Sequence, residues 1–271
     1  MKTVVNKELA LRIEQAEVEL LSSRLSAIQN LEGNPMGIEL QTFGHATAFS
    51  AKNIPGPSFN TVKGLRAGDE QYVTKILDFY HKKDISVQFE ITPAHTSKDL
   101  LTFLNSLGFY QIDFHTTLYK QLDDETQYEN NISDIAIRTL KEDEFDIFAE
   151  IYTKGFQMPD FLASGVAQNN RVLHPNPNWS FYLAHEDDRP VGIGVLFAKN
   201  KVATLAAAAT LPAERNKGIQ SAIIQKRLVE AISTGNELLV GQARFGSVSQ
   251  NNMERAGMKI AYTKAIWVKG Q

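Results

Sequence analysis

The stretch TLAAAATLPAERNKGIQSAIIQKRLVEAISTG, residues 204–235, decides how the chain is read. Thr204 to Thr210 is a run of small apolar residues about the length of a buried strand, and Leu211-Pro212 ends it because proline has no donor for a sheet ladder. Ala213 to Lys217 is a polar turn in which Arg215 and Lys217 flank Asn216. Gly218 then opens a helix with apolar positions at Ile219, Ala222, Ile223, Leu228, Ala231 and Ile232, and Gly235 stands where a C-cap is expected. That apolar surface is broader than one stripe, so the helix is expected to pack on a sheet and under a neighbour.

The turn has a chemical logic. The first N–H groups of a helix lack intrahelical acceptors and lie at the positive end of its dipole, which favours a diphosphate there. Gly218 allows close approach of backbone, and Arg215 and Lys217 add positive charge. A P-loop is not indicated, because no lysine and hydroxyl pair follows the glycine. After Gly235, residues 237–243 (ELLVGQA) predict a buried strand, 247–256 (SVSQNNMERA) a short helix ended by Gly257, and 258–268 a strand pair or one long bent strand.

This order of elements, with Arg215, Gly218 and Gln220 set as R-x-x-G-x-G/A, resembles the GNAT superfamily of N-acetyltransferases over roughly residues 132–271. Gln220 departs from the glycine or alanine usual at that place, and Met258 from the phenylalanine usual after the glycine of the short helix. The resemblance implies an α/β fold with a mixed sheet and acetyl-CoA as co-substrate, with no metal. Its diphosphate would lie on Arg215, Asn216, Lys217, Gly218, Ile219, Gln220 and Ser221. The pantetheine arm would pair with backbone near Ala209, Thr210 and Leu211, and Asn252 would add a hydrogen bond. Many relatives place a tyrosine four residues before the glycine to protonate the departing thiolate; Met253 stands there instead. Another branch carries a serine eight residues before it, matched by Ser249, one helical turn from Met253. Ser249 as proton donor competes with Ser249 as helix cap. Tyr262 is a second donor candidate, or a core aromatic. No general base is visible, and without cysteine the acyl group is expected to pass by direct attack in a ternary complex.

The first half repeats the architecture. A helix over residues 6–30, strands at 38–43 and 46–51, a helix at 69–83, a strand at 85–92, a helix at 96–107 and a strand at 110–122 are expected. The helix ending in Leu107-Gly108-Phe109 parallels the one ending in Ala256-Gly257-Met258. The nearest counterpart of the diphosphate turn, TVKGLRAG at 61–68, has its glycine before its arginine. The expectation is therefore two tandem GNAT-like acyl-CoA N-acyltransferase folds: a degenerate one over 1–125 without a coenzyme site, and an acetyl-CoA-binding one over 132–271. The acidic, amide-rich segment 123–134 reads as the linker. In the second half a strand at 135–140, a helix at 142–154 with an acidic first turn, a long polar loop at 157–178 and a hairpin at 179–198 lead into the quoted stretch.

Composition narrows the function. The chain has 271 residues, 43% hydrophobic and 22% charged, a net charge of −3 and no cysteine. The charge balance offers nothing to nucleic acid. No apolar run reaches membrane-spanning length, and Glu8, Arg12, Glu14 and Glu17 interrupt any secretory signal. The absence of cysteine suits a reducing cytoplasm. The resemblance implies acetyl transfer to a primary amine of a small molecule or peptide. A non-catalytic acyl-CoA-binding or regulatory protein is the alternative. Oligomeric state is not readable from the chain.

Overall fold

The computed structural model describes residues 4–122 and 135–270, so the expected linker at 123–134 lies outside the described residues. In chain order the elements are α1 Lys7–Gln29, β1 Ile38–Phe43, β2 Ala46–Ala51, β3 Thr61–Lys63, α2 Glu70–His81, β4 Gln88–Ile91, α3 Lys98–Ser106 and β5 Phe109–Gln121. They continue with β6 Ala136–Thr139, α4 Phe145–Gly155, α5 Ala163–Arg171, β7 Trp179–Glu186, β8 Arg189–Lys199 and β9 Val202–Thr210. The last are α6 Ile219–Ser233, β10 Leu238–Arg244, α7 Val248–Arg255 and β11 Lys259–Lys269. The fold is mixed α/β. Two elements differ from the sequence reading: β3, too short to show an alternating pattern, and α5, an amide-rich helix with little apolar periodicity inside the segment expected as loop. Residues 258–268 form one strand, not a pair.

The chain divides into two compact units. The first holds residues 1–117, 243–247 and 260–271, and the second holds 118–242 and 248–259. The first unit thus takes its closing strand from the far end of the chain, where a simple division at the linker would have left β11 with the second.

In the first unit the strands lie in the order β1-β2-β3-β4-β11-β5. β3 and β4 run parallel, and β11 pairs antiparallel with β4, Ala265 opposite Ile91. Asn6 caps α1 by accepting from the Leu9 amide at 2.8 Å, and Ser97 does the same for Leu100 in α3. The core gathers Val62, Val73, Ile76, Tyr80, Phe89, Leu100, Leu104 and Phe109. The connection from β3 to α2 is the counterpart of the diphosphate turn. There the carboxylate of Asp69, buried at the start of α2, accepts from the Arg66 amide at 3.1 Å and lies 3.1 Å from His45 Nδ1.

α1 buries Glu14 and Glu17 along with Ala10, Ile13, Leu21 and Leu25. Glu17 and Glu90 face Lys63 and Lys264 in the interior: Lys63 Nζ is 2.5 Å from Glu90 Oε2, Lys264 Nζ is 2.6 Å from the same oxygen, and Lys264 also pairs with Glu17. Thr117 and Thr61 donate to Glu17 and Glu90, which fills remaining lone pairs. Burial alone would raise the Glu90 carboxyl, but Lys264 and Lys63 outweigh it and hold the group well below the usual carboxylate range. The same balance raises Lys264, where the two glutamates overcome the penalty of burial. Lys63 is lowered by its burial. Such a cluster is stable only when complete.

Lys264→Met removes a shared cation and leaves two buried carboxylates with Lys63 alone, so urea unfolding should show a loss of roughly 3 kcal/mol, the range for breaking a buried pair. The pH dependence has a definite sign. Because the folded Glu90 is depressed, its contribution is complete above the unfolded carboxylate value, about 4.3, and is lost as pH falls below it. Wild-type stability should fall through that acid range more steeply than that of Glu90→Gln.

Candidate active site

The second unit orders its strands β10-β9-β8-β7-β6. β9 and β10 are parallel, and their pairing runs from Val202 opposite Leu238 only as far as Leu205 opposite Gly241. β9 continues to Thr210, still paired with β8 on its other side. Beyond Leu205 the strands part, and a wedge opens in the sheet. The β8–β9 register shifts between Val195 and Leu196, with Val195 opposite Ala207 and Leu196 opposite Leu205, so Ala206 is bulged where the wedge begins. The small side chains of the Thr204–Thr210 run suit this position, since larger ones would fill the opening.

The turn after β9 is built as the sequence implies. Pro212–Glu214 make one 3-10 turn, Asn216 and Gly218 take left-handed backbone, φ +66° and +80°, and α6 follows at once. Ala222 N donates to Gly218 O at 3.0 Å, so the amides of Ile219, Gln220 and Ser221 precede the first intrahelical bond. α6 ends at Gly235 with Gly235 N bonded to Ile232 O and Asn236 N to Ala231 O, a Schellman pair. α7 ends in the same way at Gly257, through Glu254 O and Met253 O.

A cleft of about 600 Å³ lies on this turn. Of the residues expected to hold the coenzyme, Ala209, Thr210, Arg215, Asn216, Gly218, Ile219, Gln220, Ser221 and Asn252 line it. Leu211 and Lys217 do not. Lys217 is engaged elsewhere, 2.7 Å from Glu214 and 3.0 Å from Glu186. Arg189 also binds Glu214, at 2.7 Å, so the one acid on the cleft wall is balanced. Arg215 donates to Gly155 O at 2.7 Å, and the rest of its guanidinium makes no other hydrogen bond with the described residues. Gly155, at the end of α4, must be small: a Cβ there would lie 2.7 Å from that of Ala209.

Arg255 was missed by the sequence reading. It lines the cleft from the last turn of α7 and holds Asn252 Oδ1 at 3.0 Å. Its place three residues after Asn252, hence on the same helical face, was the available signal. Two arginines thus meet the open first turn of α6.

A second cavity of about 210 Å³ adjoins the cleft, sharing Ala208 and Gln220 with it, and occupies the strand wedge. Leu205 to Ala208 and Gln242 line it from the two strands, with Tyr152, Ser249 and Met253 among the remaining walls. Gln220, the residue that departs from the resemblance, joins the two helices: its Nε2 lies 3.4 Å from Ser249 Oγ and its Oε1 accepts from Asn252 at 3.0 Å. Ser249 falls inside the first turn of α7, which starts at Val248, so the cap position belongs to Ser247. Met253 is buried, with Gly241 making room for its sulfur.

Tyr262 lines neither cavity. It is buried in the first unit's β11, and burial, with Glu17 and Glu14 nearby, raises its phenol well above the ordinary value. Of the two donor candidates, only Ser249 faces a cavity. Arg244, at the end of β10, makes an exposed pair with Asp113 at 3.3 Å. His174 packs edge-on against Phe145.

Several solved structures resemble the chain in overall fold. A GCN5-related N-acetyltransferase from Kribbella flavida superposes with a TM-score of 0.64 at 13% identity, covering 92% of this chain and 96% of its own. The fold is that of the GNAT acetyltransferases. A GCN5-related N-acetyltransferase from Sphaerobacter thermophilus matches with a TM-score of 0.62 at 16% identity, over 90% of this chain and 84% of that one. A tandem GNAT protein from the clavulanic acid biosynthesis pathway matches at 0.59 and 11% identity over 94% and 95%. No protein-family model matches the sequence, and no curated protein sequence does. Among the described residues no helix is long and apolar enough to cross a membrane.

Gly218 provides a local test. A Cβ on it would meet nothing within 4 Å, so Gly218→Ala isolates the cost of a left-handed backbone. Urea denaturation should show a loss of about 1 kcal/mol.

Proposed function

We propose that the second unit binds acetyl-CoA and transfers the acetyl group to a primary amine of a small molecule or peptide. The observation that carries this reading is the strand wedge, whose one-sided β9 edge leads directly to the open first turn of α6 between Arg215 and Arg255. An extended amide-bearing arm fits the first, and a diphosphate fits the second. The thioester supplies an activated carbonyl. The chain supplies position, exclusion of water and charge stabilisation. Alternate backbone donors of β9 between Ala206 and Thr210 face the edge that β10 leaves, where a developing oxyanion can be met. Ser249 is the proton donor to the leaving thiolate; Gln220 Nε2 is directed at its oxygen, which leaves the hydroxyl hydrogen to be given away. Among the described residues that line the two cavities the one carboxylate is Glu214, which is paired, so the amine enters neutral and loses its proton to solvent.

The first unit is read as a degenerate copy without coenzyme, because its β3-to-α2 connection carries its glycine, Gly64, before its arginine, Arg66, and so lacks the order of the α6 turn. Calorimetry on the full chain should give one acetyl-CoA per chain. Gly218→Val should weaken binding at least tenfold, and a stoichiometry near two would put the first unit back in play.

A second reading, binding without transfer, is favoured by Met253 at the place of the usual phenolic donor. The two separate on Ser249→Ala. Under the catalytic reading kcat with an acceptor found by screening falls by about 10²-fold while coenzyme affinity and melting temperature hold. Coenzyme binding without release of free thiol from any amine would favour the second.

A further inference from the structure

The cavity in the strand wedge contains a charge that the acetyl-transfer reading does not use. Arg227, on α6, is 2% exposed and lines that cavity. Its Nε donates to Ile223 O at 3.1 Å, and its Nη1 donates to Val195 O at 3.1 Å and Ala207 O at 3.0 Å, carbonyls that flank the bulge. Nη2 makes no hydrogen bond with the described residues. No carboxylate among them lies within ion-pair distance of the guanidinium; Glu230, one turn on, is paired with Lys226. Burial draws the group down to about 9, partly countered by Tyr182, so it is a cation at neutral pH.

Two functions must be separated. Holding the bulge carbonyls explains Nε and Nη1 but needs no charge, and a neutral amide would serve. A buried cation without an anion is costly, and groups perturbed in this way cluster at functional sites. Among the described residues the other walls of the cavity carry no acid. Phe156, Leu205 and the β9 alanines are apolar, and Gln220, Gln242 and Ser249 are neutral. A planar anion entering this site would meet one guanidinium at low dielectric, with free donors on its outer nitrogen.

We propose that the wedge cavity takes a carboxylate, bound by Arg227, so that the preferred substrate carries a carboxylate in addition to the reacting amine or thioester. This rests on the coenzyme reading for the word substrate, but the binding itself does not. The carboxylate has two possible sources. It is either the far end of a dicarboxylic acyl group on the coenzyme or the acid of an amino-acid acceptor.

The experiment is calorimetry on the full chain with free succinate, with acetyl-CoA against succinyl-CoA, and, with coenzyme A saturating, L-alanine against L-alaninamide. An acyl source predicts succinyl-CoA at least tenfold tighter than acetyl-CoA. An acceptor source predicts that L-alanine binds and L-alaninamide does not. In either arm Arg227→Gln, which keeps a donor for the bulge carbonyls, should abolish the preference and leave acetyl-CoA affinity within threefold, while Arg227→Lys should retain part of it. A wild-type protein that binds acetyl-CoA yet shows no preference in either arm and no affinity for succinate overturns the inference without recourse to variants. So does a preference that survives in Arg227→Gln. Succinate binding that depends on Arg227 in a protein that ignores acetyl-CoA would uphold the carboxylate site and sink the coenzyme reading.

Discussion

The site depends on two parallel strands that stop pairing. Between Leu205 and Thr210 the backbone of β9 gives up a neighbour, and every hydrogen-bonding group on that edge becomes available to something other than the sheet. Unpaired backbone in a protein interior is costly unless it is answered. At the bulge the guanidinium of Arg227 bonds the carbonyls of Val195 and Ala207 from within, and the wedge cavity lies along the edge that β10 leaves. The turn at Gly218 and the arginines around it matter because they lie at the mouth of that opening. Elsewhere they would be an ordinary basic loop.

Much of the fold was legible because hydrophobic period and turn chemistry agreed along most of the chain. β1 and β2 were readable to the residue from alternation about Gly44-His45, and the C-caps at Gly235 and Gly257 from glycine after an apolar period. α5 was hidden because its sequence, ASGVAQNNR, lacks a continuous apolar face. The exchange of β11 into the first unit was hidden for a different reason: strand pairing is a property of partners, and nothing in Lys259–Lys269 names β4 as its neighbour. α1 held an overlooked hint. Glu14 and Glu17 follow Ala10 and Ile13 by four residues each, so the acids fall on the apolar face, which a solvated helix would not arrange.

The candidate site was legible in its local part and opaque in its assembled part. The residues of the turn are contiguous, so a short pattern captured most of them. The pairing of Lys217 is invisible to charge alone, because Glu186, which binds it, lies far back in the hairpin. Arg227 acquires its meaning only once α6 is set against the wedge. Gln220, a departure from the family pattern, became intelligible when its amide was found between Ser249 and Asn252.

The place of β11 has a consequence for how the molecule is made. Lys264 meets Glu90 across 174 residues of chain, and the strand that carries it lies between β4 and β5. During synthesis the first half leaves the ribosome with an open sheet edge and with Glu17 and Glu90 lacking one of their cations, and it stays so until the whole second unit has been translated. The usual N-to-C order of domain folding is therefore unavailable to the first unit, although it is encoded first. Until then its edge strands stay unpaired, the condition under which edge-to-edge association competes with folding.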